Sequence, residues 1–310
     1  MHHRNRLPRR FVLPALVLGL AGALAACNTA VPASSDSSAA GNLALAAVDD
    51  AFAGQAAADG TNLAPASVLA AAATQSGGTQ SGGTQSGGTQ SVAPVIVVRR
   101  TDMQRQRRLV DVTVDRNADP ITAEVEVWVS ITGNAQIIKT YPDTQAPIEL
   151  LGVKPIAMQG TVSFDLQKGD QGWQLTGISG PGIDQGAYAA AVQSVSFDPD
   201  PILIGRTDNV AFASLVEPAT SDAFLVVARG RYLRPHGVLA DDGVPPDVTA
   251  GDQTYSGTVW VGAGARPGAH LAFVTALDYT RTVDVSQTGG SYDNPYTDTL
   301  QPVLVQLATE

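Results

Sequence analysis

From Pro94 onward the chain alternates apolar and polar residues with a period of two, the pattern of half-buried β-strands. Val110, Val112 and Val114 alternate with Asp111, Thr113 and Asp115. Val125, Val127, Val129 and Ile131 alternate with Glu124, Glu126, Trp128 and Ser130. Ile156, Met158, Val162, Phe164 and Leu166 share one face of a third run, opposite Gln159, Thr161, Ser163 and Asp165, and Trp173 and Leu175 open a fourth. Polar turns at Asn117–Pro120 and Lys168–Gly172 separate the runs, so the pattern predicts an antiparallel meander with one buried face. A joint follows from Gly180 to Ala191. Shorter strand candidates then recur near Val192–Phe197, Asn209–Leu215, Ala223–Leu233, Tyr255–Val261, His270–Leu277 and Val303–Leu307, with turn signals between them and no room for a useful helix. That spacing predicts an all-β sandwich.

Ahead of the meander the period is helical. Leu45, Val48 and Phe52 fall at i, i+3 and i+7 with Asp49 and Asp50 on the other side, and Asp59-Gly60 is a stop signal. Ser67–Ala73 predicts a second short helix with Ser67 as its N-cap. Asn28–Gly41 is small, polar and without period, a tether. Thr74–Ser91 is three copies of TQSGG followed by TQS. This composition predicts a flexible linker with an r.m.s. span of roughly 20–25 Å.

The first residues change where the folded chain is placed. Arg4, Arg6, Arg9 and Arg10 precede Phe11–Ala26, 16 residues without a charge, the length of a signal-peptide core and short for a membrane span. The run ends in Leu24-Ala25-Ala26-Cys27, which resembles the lipobox of bacterial lipoproteins. The resemblance implies cleavage after residue 26, lipidation of Cys27 and attachment to a membrane. Cys27 is also the sole cysteine, so no intramolecular disulfide forms. Removing 1–26 takes four arginines from the 19 basic residues and none of the 29 acidic ones, leaving a net charge of 15 − 29 = −14. A surface that acidic repels phosphate backbones, and nucleic acid is excluded as the expected partner.

Helical residues followed by a meander that closes in FDLQKGDQGWQLTGIS resemble the NTF2-like fold, whose last hairpin carries a Gly-Trp-hydrophobic sequence of this kind. The resemblance covers residues 43–182, with the low-complexity linker 74–91 as a departure, because the family's helices usually run directly into the sheet. The strand pattern of 189–310 resembles the Ig-like sandwiches of bacterial proteins, which lack the antibody cysteine pair. Within it, Leu239–Ser256 is similar to a recurrent segment of secreted bacterial Ig-like modules. Asp241, Asp242, Gly243, Asp247, Ala250, Gly251, Asp252 and Tyr255 match it, and Gln253 departs. The expected fold is therefore mainly β: a signal peptide 1–26, a tether 27–42, an α+β NTF2-like domain 43–182 and an all-β Ig-like domain 189–310.

Two readings of the aspartate loop stand. In one, Asp side chains accept backbone N–H groups two residues on, and Gly243 and Gly251 supply positive φ. In the other, Asp241, Asp242, Asp247 and Asp252 bind calcium, which wants several oxygens. The spacing is not that of an EF-hand: Pro246 stands where the loop glycine belongs, and no acid occupies the third or fifth position. Beyond calcium no cofactor is expected. His236 and His270, the histidines left after cleavage, lie in neither a nucleophile-elbow nor a metal-ligand context. The expected function is a lipid-anchored, non-catalytic protein of the cell envelope, facing the periplasm or exterior, that binds or scaffolds. The alternative is a small-molecule or lipid binder using the cone-shaped pocket of an NTF2-like domain.

Overall fold

A stripe of Ala40, Gly41, Ala44, Val48, Ala51, Phe52 and Gln55, spaced three and four apart, is buried along one side of helix α1 (Ser35–Ala56). The helix belongs to a computed structural model that describes residues 35–64, 94–141, 148–185, 189–216, 224–235, 237–283 and 296–310. Cys27 and the apolar run before it, the short helix expected at Ser67–Ala73, the TQSGG repeats and His236 lie outside those residues.

The fold is mainly β and antiparallel. β1 (Val95–Asp115), β2 (Thr122–Thr140), β3 (Glu149–Gly169) and β4 (Gly172–Ser179) form a four-stranded sheet in sequence order, the expected meander. Val125, Val127, Val129, Ile131, Ile156, Met158, Val162, Phe164 and Leu166 are all buried on its inner face. Each such side chain contributes about 1.5–3 kcal/mol relative to exposure. The far half of β1 runs past this core: Val112 and Val114 are half-buried and Val110 is 50% exposed.

A second sheet runs β5–β13–β12–β9 (β5 Ile183–Gln185, β9 Phe224–Gly230, β12 Gly268–Asp278, β13 Asp298–Ala308), with the two-residue β7 (Ile202–Leu203) added parallel to β13. A third runs β10–β11–β8–β6 (β6 Ala191–Asp198, β8 Asn209–Val216, β10 Leu233–Pro235, β11 Thr254–Val261). A five-residue helix α2 (Tyr279–Val283) follows β12. Among the described residues no helix is long and apolar enough to cross a membrane.

The second sheet is the middle layer. On β12, Leu271, Phe273 and Leu277 enter a core shared with α1 and the meander, while Ala272, Val274 and Ala276 enter a separate core shared with the third sheet. β9 divides in the same way, with Val227 on the first side and Val226 and Ala228 on the second. Phe52 of α1 stacks on Phe273 with ring centroids 6.1 Å apart. The segments expected as two domains therefore share a core, and Ser34–Glu310 forms one compact unit. Two smaller expectations change with it. α1 begins at Ser35, inside the segment read as a tether, because Ala40 and Gly41 pack on the sheet through small surfaces. A Cβ added at Gly41 would stand 3.1 Å from Leu109 Cδ2. The joint 180–191 contains β5, paired with β13.

Where α1 crosses the end of β9 the approach is closer still. A Cβ built on Gly54 would lie 2.2 Å from the Gly230 carbonyl carbon, so this crossing requires glycine.

Candidate functional site

That close crossing opens a groove on either side of it. Along the middle of α1 lies an open cavity of about 770 Å³, floored by Leu43, Ala44 and Ala47 and walled by Trp173, Tyr232 and His270. The alanines leave the floor low. β4 supplies Trp173 directly after the Gly172 turn (φ 101°), and the β9–β10 turn supplies Tyr232. β12 contributes His270, whose Nε2 lies 2.8 Å from the Arg266 carbonyl and whose ring meets Tyr232 edge to face at 5.0 Å. Arg231 pairs with Asp50 of α1 and lies 5.4 Å over the Tyr232 ring, and Arg266 adds a second arginine to the lining. Aromatic walls, a small-residue floor and a few polar groups are the composition of a ligand site. This set comes from α1, β4, the β9–β10 turn and β12, and none of it was singled out as a site in the sequence. The Gly172-Trp173 pair was legible only as a hairpin signature.

Beneath the same helix a polar group ties the meander to the middle sheet. Arg100 is 8% exposed and Asp298 is 1% exposed. Arg100 donates from its terminal nitrogen to Asp298 Oδ2 (2.6 Å) and from Nε to the Tyr296 hydroxyl (2.9 Å). Tyr296 in turn donates to Asp298 Oδ2 (2.7 Å). Burial pushes the Asp298 carboxyl up against the pull of Arg100, and burial holds the Tyr296 phenol well above its usual range. Arg105 makes a second, bidentate pair with Asp59, both bonds 2.8 Å.

Of the four aspartates singled out in the sequence, the fold brings Asp241, Asp247 and Asp252 together, with one oxygen from each inside a 4.8 Å group, and leaves Asp242 outside it. Backbone N–H groups satisfy these carboxylates. Gly251 and Gln253 donate to Asp241 (2.6 and 2.9 Å), Thr254 to Asp252 (2.9 Å), Val244 to Asp242 (3.0 Å), and Gly243 and Thr249 to Asp247. Pro245 and Pro246 have no N–H to give, and the donors come from the flanks. Gly243, Gly251 and Gln253 take φ of 70°, 76° and 66°, the left-handed conformations that aim those groups inward. The loop is closed by reciprocal bonds between Ala240 and Ser256 (2.9 and 2.8 Å).

The Gly243 N–H, outweighing a smaller burial cost and aided by Thr249, holds the Asp247 carboxyl below its ordinary 3.8. A depressed folded pKa contributes stability above 3.8 that is lost as pH falls through the folded value. Asp247→Asn is therefore expected to lower Tm at neutral pH, with the gap from wild type narrowing below pH 3.8. A gap that stays constant down to strongly acid pH would show that the charge is not what the loop uses. Calcium is expected to leave both melting curves in place, because these carboxylates already have donors.

Compared with known proteins, the chain matches no protein family, no curated protein and no solved structure.

Proposed function

We propose that the chain is a lipid-anchored protein of the cell envelope, without catalytic activity, that binds a ligand or partner outside the membrane in the groove along α1. The groove is the observation that carries this reading. It holds about 770 Å³ of open space, whereas the inner face of the meander is packed against α1 and the middle sheet. A small-molecule or lipid ligand, the second reading, therefore fits this groove rather than a cone beneath the meander. The NTF2-like reading of α1 with β1–β4 draws on the helix-covered meander and its Gly-Trp hairpin. The Ig-like reading of 189–310 draws on β6–β13, whose antiparallel pairs in the second and third sheets pack through a common core.

The anchor is tested by Cys27→Ser, which is expected to move the protein from the membrane fraction to the soluble one or leave it unprocessed. Wild-type cleavage and fractionation of that variant would remove the anchor. The groove is tested by placing a photo-crosslinking residue at Ala47, with Glu124 on the exposed face of β2 as control. Adducts are expected from position 47 alone. None there, or equal yields from both positions, would sink the groove as the binding site.

A further inference from the structure

On the other side of the Gly54 crossing lies a second pocket, of about 310 Å³. Ala53 and Gly54 of α1 and Ala57 just beyond it form one wall, and Arg229, Arg231 and Arg234 supply its charge, with no acidic residue among the lining. In a chain with 29 acidic and 19 basic residues, three arginines in one small pocket is a local reversal of sign. The fold produces it mechanically. Gly54 lets α1 rest on the Gly230 backbone, which brings the end of β9 (Arg229), the turn (Arg231) and β10 (Arg234) against a helix face that has no side chains long enough to fill the space.

A second observation concerns the charge behind the pocket. Arg229 is half-buried, and burial followed by the nearby Arg100 disfavours its charged form, opposed by Asp59. Asp59 is already engaged by both terminal nitrogens of Arg105, and Asp298 by Arg100. Among the described residues, three guanidinium groups thus face two carboxylates, and no ion pair is formed by Arg229 or Arg234. A half-buried cation whose carboxylate neighbour is already engaged by another arginine bears a cost in free energy that an anion beside it offsets. Arg231, at the rim, is shared with Asp50.

We propose that this pocket binds a tetrahedral oxyanion, the phosphoryl or sulfuryl group of a small ligand, held by Arg229 and Arg234 with Arg231 at its edge. One guanidinium fork serves both oxygens of a carboxylate, and three forks around one pocket match a group with three or more oxygens. The site shares Arg231 with the groove but stands independently of the envelope reading.

The test is calorimetric titration of the full-length chain in detergent with inorganic phosphate and with phenyl phosphate, against chloride at constant ionic strength to hold screening fixed. Wild type is expected to bind both phosphates, and Arg229→Gln and Arg234→Gln each to weaken binding at least about tenfold. Arg234 is exposed, so its variant keeps the fold if the Arg229 variant does not. Asp50→Asn, which releases Arg231, is expected to tighten binding. Tighter binding of phenyl phosphate assigns the pocket to the end of a larger ligand, and equal binding assigns it to the free ion. No phosphate binding above chloride, or unchanged binding in both arginine variants, overturns the proposal.

Discussion

Phe273→Ala is expected to destabilise the chain by about 3–5 kcal/mol, the cost of emptying a large aromatic site in a core that relaxes only partly. Phe273 is wholly buried and lies on β12, in the half of the sequence that reads as a separate sandwich. Its ring nevertheless stacks on Phe52 of α1 and belongs to the core beneath the meander. Loss of the ring is therefore expected to lower the melting of both halves together. Trp128 and Trp173 report on the meander and Trp260 on the third sheet, so single-tryptophan variants give each layer its own fluorescence signal. Coincident transitions, shifted equally by Phe273→Ala, are the expected result. A Trp128 transition that stays at the wild-type temperature while that of Trp260 moves would show two independent units.

Asp298→Ala is expected to have an effect of similar size for a different reason. The substitution removes one partner of a buried pair and leaves Arg100 charged at 8% exposure, with the Tyr296 hydroxyl as its remaining side-chain hydrogen-bond partner among the described residues. Breaking such a pair on one side costs about 3–5 kcal/mol, whereas replacing both partners by apolar groups is often close to neutral. Adding Arg100→Met to Asp298→Ala is accordingly expected to recover most of the lost stability, giving a strong positive coupling in a double-mutant cycle. Single variants whose losses simply add would show that the two side chains do not depend on each other.

Most strands were legible in the sequence because their burial is local and periodic. Val125, Val127 and Val129 alternate with polar residues, and the structure buries those three and leaves Glu124 on the outside. The candidates at 192–197, 209–215 and 255–261 correspond to β6, β8 and β11 within a residue or two. The layering was harder to read. Leu271–Leu277 is an unbroken buried run, which alternation handles poorly, and its meaning is a strand covered on both faces. Nothing in the spacing of Phe52 or Arg100 pairs them with Phe273 or Asp298, because those contacts are set by how distant sheets stack. The start of α1 was hidden for another reason: Ala40, Gly41 and Ala44 are small enough to resemble a tether and small enough to let a helix lie close to a sheet. The aspartate loop was legible because its carboxylates and the N–H groups that bond them fall within one short segment, 241–254. The groove and the arginine pocket were not, because each is assembled from separate segments meeting at Gly54 and Gly230.

The pairing of Arg100 with Asp298 spans 198 residues, and the Tyr279 hydroxyl reaches the Ile96 carbonyl across 183. Contacts at that separation form late, since the entropy of closing so large a loop must be lost before they exist. The hairpins joining β1 to β4 can zip locally, but α1 has nothing to lie on along one flank until β9 and β12 arrive. During synthesis the early residues wait uncovered for the late ones. Exposure to proteases and to self-association is therefore concentrated in the interval between the making of β1 and the making of β13.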